Sequence, residues 1–205
     1  MVVLGAYLLG SIPTGYLVAH FKAIDIRSVG SGNIGATNVF RVLGIPAGVF
    51  VLVMDGLKGF AACTWGCDLV LRGFGVPPGS HEVYRILAGL AAVMGHNYTC
   101  WLRFKGGKGI ATSAGVLAAL VPWALIIIAG IWIALFVLSG FVSLGSVIAS
   151  ATLPVASWLT GESLTMVLVT LGLALLAIYK HRANIRRLLN GTEHRIRFKK
   201  KEVPS

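Results

Sequence analysis

Charge is scarce in this sequence: Asp, Glu, Lys and Arg make up 12% of its 205 residues, against 56% hydrophobic. A soluble domain carries about a quarter charged residues, so this chain is expected in a bilayer. Cations are missing from the first 21 residues. A secretory signal needs a basic region ahead of its apolar core, so Val2–Phe21 is expected to be a retained first span. Cysteine is also sparse, and Cys63, Cys67 and Cys100 fit neither the spacing of a zinc site nor a disulfide framework; they are expected to be small core residues. Acids number 7 against 18 Lys and Arg, a net charge of +11. The cations are divided among membrane-flanking loops and lack a nucleic-acid-binding motif, so no nucleic-acid partner is expected. Topology and anionic headgroups account for much of the excess. No internal repeat is present, and the polar residues gather at one interface, which weighs against a transporter or phosphate-binding membrane protein with a midplane site.

What is present in quantity is apolar sequence. Runs of about 17 to 25 apolar residues predict an all-α integral membrane protein of about seven transmembrane helices in one bundle. The spans are Val2–Phe21, Ala47–Leu71, Tyr84–Leu102, Gly109–Val121, Trp123–Ser139, Phe141–Leu159 and Leu164–Tyr179. The fourth is too short to cross unless its glycine-rich entrance continues as helix. Fifteen of the 18 Lys and Arg then fall on one face, including Arg197, Lys199, Lys200 and Lys201, leaving Lys58 within a span and Arg72 and Arg85 on the other. By the positive-inside rule the N-terminus is outside and the C-terminus cytoplasmic. Residues 1–205 are expected to form a single domain with a basic cytoplasmic tail from about residue 181.

Three stretches on the basic face exceed what topology requires. "VGSGNIGATNVFR", Val29–Arg41, has glycines that permit positive φ and let backbone N–H groups face one concavity, with Ser31, Asn33, Thr37 and Asn38 as side-chain donors. It matches neither a Walker motif nor a Rossmann fingerprint, and it serves equally well as a flexible polar loop. "RFKGGKGIAT", Arg103–Thr112, brackets Gly106 and Gly107 with Lys105 and Lys108 ahead of an apolar helix, whose N-terminal amides and nearby ammonium groups suit a phosphate. Flanking cations of a span explain the lysines but not the glycines. "HRANIRRLLNGTEHR", His181–Arg195, is a basic amphipathic helix with His181, Asn184 and Leu188 on one face and Arg182 and Arg186 on another. Such a helix most often lies on headgroups; a His and an Asn turned toward the other loops suit a ligand better.

Together "VGSGNIGATNVFR", "GHNYTCWLRFKGGKGIAT" and "HRANIRRLLNGTE" resemble, in order and over essentially the whole chain, the three motifs of the bacterial acyl-phosphate-dependent glycerol-3-phosphate acyltransferases; the first span, "AYLLGSIPTGYLVA", is similar too. The resemblance implies transfer of a fatty acyl group from acyl phosphate to the 1-hydroxyl of glycerol 3-phosphate, giving lysophosphatidic acid and phosphate. It implies a multi-pass protein of the bacterial inner membrane with its site facing the cytoplasm, no cofactor, no metal and no obligate protein partner. The substrates are fatty acyl phosphate and glycerol 3-phosphate. An acyl phosphate is already an activated anhydride, so positioning and neutralisation of the departing phosphate carry much of the rate.

By matching positions, Ser31, Gly32, Asn33, Thr37 and Asn38, with Arg41 nearby, would hold one phosphate. Lys105, Gly106, Gly107 and Lys108 would hold the other, and His181 and Asn184 would complete the pocket. Which loop takes which substrate stays open. Ser143, in "FVSLGS", is expected to face the same pocket, and Glu193 and Arg182 to support it. Lys105, His181 and Asn184 are the catalytic candidates. The base that takes the hydroxyl proton is His181, the supporting residue His96, or a substrate phosphate oxygen. "HFKAID", His20–Asp25, has the His-x4-Asp spacing of thioester-dependent acyltransferases, but the other motifs of that class are absent. The second motif departs from the family pattern at Thr99, where a proline is usual. Asp55 and Lys58, at i, i+3 inside the second span, are expected to pair or to shape the acyl or phosphate site, because lone charges there are expensive.

Overall fold

The computed structural model describes residues 1–196; the tail cations Arg197, Lys199, Lys200 and Lys201 lie outside the described residues. Among the described residues eleven α-helices follow one another: α1 (Val2–Ser11), α2 (Thr14–His20), α3 (Ala36–Leu43), α4 (Ile45–Ala61), α5 (Cys67–Gly73), α6 (His81–Asn97), α7 (Ile110–Leu120), α8 (Pro122–Ser139), α9 (Val142–Leu159), α10 (Leu164–Lys180) and α11 (Arg182–Leu189). The helices α4 and α5 continue through a π-helical turn, Ala62–Gly66, and α1 breaks into α2 at Ile12–Pro13.

Each of the seven apolar segments is helical, yet length and composition support fewer crossings than seven. Among the described residues four helical stretches are long and apolar enough: Val2–His20, Ile45–Gly73, Pro122–Ser139 and Val142–Leu159; α10 with α11, bent by 58°, would make a fifth. Two segments fall short for visible reasons. Helix α6 has 17 residues and polar ends, with His81 and Glu82 at one and His96 and Asn97 at the other. Helix α7 has 11 residues, about 16 Å of rise against a hydrocarbon core of about 30 Å. Its glycine-rich entrance does not extend it, because Gly109 takes a left-handed conformation at φ 81°.

Two helix pairs position the site. Helix α1 lies on α6 and α4 lies on α7, and both contacts are made through glycine. A Cβ on Gly10 would meet the Ala92 backbone, one on Gly95 that of Tyr7 and Ser11, one on Gly59 that of Thr112, and one on Gly115 that of Gly56. Apolar burial drives little association between helices already in lipid, so close backbone approach through small residues does this work. An apolar cluster from α6 to α10, including Val93, Leu117, Ile128, Leu153 and Leu173, ties the second half together. Another, including Ile26, Ile34, Val39 and Val51, seats the loop before α3.

Candidate functional site

The three motif stretches meet. A polar pocket of about 120 Å³ is lined by Ser31, Asn33, Thr37, Asn38 and Arg41 from the first, Lys108 from the second, and His181, Asn184 and Glu193 from the third, with His96 and Ser143. Four helix N-termini converge on it: Ala36 and Thr37 open α3, Ile110 and Ala111 open α7, Val142 and Ser143 open α9, and His181 precedes α11 with Asn184 in its first turn. None of the four is capped by a side chain, whereas Ser163 caps α10 through the Met166 N–H. Uncapped first-turn amides and the positive end of the helix dipole favour an anion.

The loop before α3 owes its shape to Asn38. Its buried amide donates to the carbonyls of Ile26, Val29 and Asn33 at 3.2, 3.1 and 2.9 Å and accepts from the Ser31 N–H at 2.8 Å. Asn33 Oδ1 accepts from the Gly35 N–H at 2.9 Å. Asn38 therefore braces the cradle rather than offering its amide to a ligand. The Ser31 and Thr37 hydroxyls and the Arg41 guanidinium line the pocket and donate to no partner among the described residues.

In the second stretch the structure separates residues that the sequence groups together. Arg103 and Phe104 have positive φ, 54° and 61°, and the turn they make leaves Lys105 exposed and outside the pocket. The amides of Gly106 and Gly107 are committed to the carbonyls of Asn97 and His96 at 3.3 and 3.0 Å. Their missing side chains serve that close approach: a Cβ on Gly107 would collide with His96 Nε2. Lys108 alone of the two lysines turns inward, donating to Asn184 Oδ1 at 2.5 Å. Burial pushes its pKa down to about 8, and the charges of Arg187, Arg41 and Lys180 add to the shift against Glu193.

Glu193 organises the third stretch. It accepts from Ser143 Oγ at 2.9 Å, Asn184 Nδ2 at 2.8 Å and Arg187 Nε at 2.7 Å. Burial raises its pKa, but those bonds outweigh it and the carboxyl stays below its usual range. The buried His181 donates from Nδ1 to Ala177 O at 2.8 Å, since a carbonyl can only accept, so Nε2 carries the lone pair. Burial, then the Lys108 charge, brings its pKa down to about 4. Gly32 and Arg182 lie outside the pocket; Arg182 is exposed, with its guanidinium 4.5 Å from the Tyr179 ring centre. His20 and Asp25 also lie outside, Asp25 being paired with Arg27 at 2.8 Å.

Sequence reasoning anticipated the Asp55–Lys58 pair at the floor and missed the wall. Asp55 lines the pocket, paired with Lys58 at 2.9 Å, bonded by Thr14 Oγ1 at 3.1 Å and 3.7 Å from His96 Nδ1. Lys58 also donates to Ile12 O at 2.8 Å, across the break between α1 and α2. Thr99, at the usual proline position, donates to Ser11 O at 2.6 Å, a tie that proline could not make. A second, apolar cavity of about 310 Å³ runs between α7, α8, α9 and α10, with Leu117, Leu125, Ile128, Leu153 and Leu173 on its walls. Leu52, Ile110, Ala111, Trp132 and Ser146 line both cavities, so the polar pocket and the groove meet along these residues.

Fold and site define an integral membrane protein with an anion pocket joined to a hydrocarbon-sized groove. The chain belongs to the glycerol-3-phosphate acyltransferase family, the PlsY family, whose model matches residues 1–191. It is 52% identical to a glycerol-3-phosphate acyltransferase of Desulforudis audaxviator over 95% of this chain and 94% of that one. It is 43% identical to one from Desulforamulus reducens over 98% and 96%. Among solved structures it resembles the integral membrane glycerol 3-phosphate acyltransferase PlsY (YgiH). The glycerol 3-phosphate form superposes with a TM-score of 0.85 at 39% identity over 96% of this chain and 94% of that one; the lysophosphatidic acid form gives 0.82 at 38% over the same shares.

Proposed function

We propose that this chain is an acyl-phosphate-dependent glycerol-3-phosphate acyltransferase. In this reading residues 1–205 form one domain in a bacterial inner membrane, with the pocket on the cytoplasmic side, the N-terminus outside and the C-terminus cytoplasmic. The observation that carries the reading is the joining of a pocket ringed by four uncapped helix N-termini to an apolar groove. One end suits two phosphate-bearing molecules and the other a fatty chain. Family membership supports the acceptor; the acyl phosphate donor rests on the pocket having room for anions and on a reaction that needs no nucleophile from the protein.

The donor chain occupies the groove, which places its carbonyl at the shared collar and its phosphate against the first turns of α3 and α7, near Ser31 and Thr37. Glycerol 3-phosphate lies toward α9 and α11, where Ser143, Asn184 and Arg41 meet its phosphate. Lys108, bonded to Asn184 yet next to α7, stands between the two phosphates and neutralises the departing one. The 1-hydroxyl oxygen attacks the carbonyl carbon and the carbon–oxygen bond to phosphate breaks. At neutral pH His181 is an uncharged, weakly basic acceptor, so its Nε2 orients the hydroxyl while a phosphate oxygen receives the proton. Positioning of this kind supplies a large part of a barrier reduction.

The test is phosphate release by the purified protein in detergent or lipidic mesophase, given palmitoyl phosphate with and without glycerol 3-phosphate, with palmitoyl-CoA as a control donor. Release that depends on glycerol 3-phosphate and yields lysophosphatidic acid, without thioester turnover, is expected. Turnover of palmitoyl-CoA at a comparable rate would overturn the donor assignment. Saturable glycerol 3-phosphate binding without turnover would point to a binding protein.

A further inference from the structure

Where pocket and groove meet, one side chain is much larger than the others. Of the five residues shared by both cavities, Leu52, Ile110 and Ala111 are aliphatic and Ser146 is small, whereas Trp132 presents a large plane. The indole is held from three sides. Its Nε1–H donates to Ser146 Oγ at 3.1 Å, and Ser146 in turn donates to Val142 O at 2.9 Å, in the first turn of α9. Its ring stacks on Phe136 with centroids 5.3 Å apart. Gly145 lies against it so closely that an added Cβ would come within 3.1 Å of Trp132 Cδ1. An indole fixed in this way is a rigid partition, and it stands where hydrocarbon gives way to the charged, solvated pocket.

We infer that Trp132 is a positioning residue that keeps water from the donor carbonyl and so couples phosphate release to acyl transfer. The inference rests on the acyltransferase reading above. An acyl phosphate has two competing fates. The glycerol oxygen can attack the carbonyl carbon, or a water oxygen can do so; in the second case the same carbon–oxygen bond breaks, phosphate leaves, a free fatty acid forms and the water proton passes to phosphate. Neither Lys108 nor the helix N-termini discriminate between the two, because both stabilise the same leaving group. Discrimination therefore falls to whatever excludes water from the collar. Trp132 has the aromatic bulk to do so, and its hydrogen bond to Ser146 holds the indole at the collar. It lies outside the three motifs, on a helix whose other hydrogen-bonding side chains are Trp123 and Ser139, at its two ends.

The experiment measures inorganic phosphate, lysophosphatidic acid and free palmitate together, on the full chain in mesophase with palmitoyl phosphate and glycerol 3-phosphate. The wild type is expected to release one phosphate for each lysophosphatidic acid. Opening the collar to water in Trp132→Ala is expected to raise the phosphate-to-product ratio severalfold, roughly three- to tenfold, with matching free palmitate. Trp132→Phe, which restores an aromatic wall, is expected to return the ratio to near one. Trp132→Leu gives the same readout as the alanine variant if that variant loses its thermal midpoint. A mere packing role would slow transfer and hydrolysis alike, so a ratio that stays at one in a folded Trp132→Ala or Trp132→Leu enzyme overturns the inference. So does equal uncoupling in Trp132→Phe. A wild type that makes no lysophosphatidic acid is a different failure, which removes the acyltransferase reading itself.

Discussion

Replacing Lys108 is the sharpest test of how the pocket works, because one atom, its Nζ, joins the second motif to the third at 2.5 Å from Asn184 Oδ1. Truncating one partner of a desolvated charge pair costs about 2–5 kcal/mol, roughly 30-fold to several thousand-fold at 1.4 kcal/mol per decade. Lys108 is half-buried, and Arg41 lines the same pocket. The loss in kcat/KM for glycerol 3-phosphate in Lys108→Met is therefore expected near the lower end, about 30- to 300-fold. Its pH dependence is more telling. The ammonium is the form that holds phosphate, and with the pKa lowered to about 8 kcat/KM should fall about tenfold per pH unit above that value. Unfolding does not explain such a fall. A lysine whose pKa drops from 10.5 to about 8 on folding leaves the unfolded chain binding more protons between those values, so this group's contribution to stability rises with pH across the window. Lys108→Arg, always charged, should abolish the alkaline limb. The assay is product formation against glycerol 3-phosphate concentration from pH 6 to 10. A Lys108→Met enzyme within threefold of wild type, or an unchanged limb in Lys108→Arg, would refute the reasoning.

Three further outcomes follow from the same geometry. Gly107→Ala drives a Cβ into His96 Nε2 and must displace the loop that carries Lys108, so KM for glycerol 3-phosphate should rise while Lys105→Ala, altering an exposed side chain, leaves it within about twofold; equal effects of the two would restore Lys105 to the site. Asp55→Ala leaves Lys58 buried without its carboxylate at a cost of about 3–5 kcal/mol, read as a fall in the thermal midpoint in detergent. The double variant Asp55→Asn with Lys58→Met should recover much of it, and a double variant no better than the single one would contradict the pairing. His181→Ala removes an uncharged acceptor, a loss of about tenfold in kcat, and leaves the profile between pH 5 and 7 unchanged in shape because the His181 pKa is lowered to about 4. An acidic limb that disappears with the imidazole would make His181 the base.

The sequence exposed most of the pocket because polar and glycine residues are conspicuous in so apolar a chain. Ser31, Asn33, Thr37, Arg41, Lys108, Ser143, His181, Asn184 and Glu193 were all nameable, and the fold brings them to one cavity. Trp132, Leu52 and Ser146 were not, since a Trp, a Leu or a Ser inside a span is ordinary and only the neighbouring helices make it a collar. The extent of α7 was not legible because helix ends depend on loop geometry: "KGGKG" could continue α7 or stop it, and the left-handed Gly109 stops it. The same stretch shows why composition identifies a site more readily than it assigns roles within one. Read along the chain, Lys105 and Lys108 are equivalent brackets around two glycines offered as amide donors. In the fold, the positive φ of Arg103 and Phe104 turns one lysine out to the surface, and the two glycines spend their amides on the last carbonyls of α6. The glycines are needed for close contact with His96 and Asn97, and the helix starts that line the pocket are instead ones whose first residues, Ala36, Ile110 and Val142, carry no polar side chain to mark them.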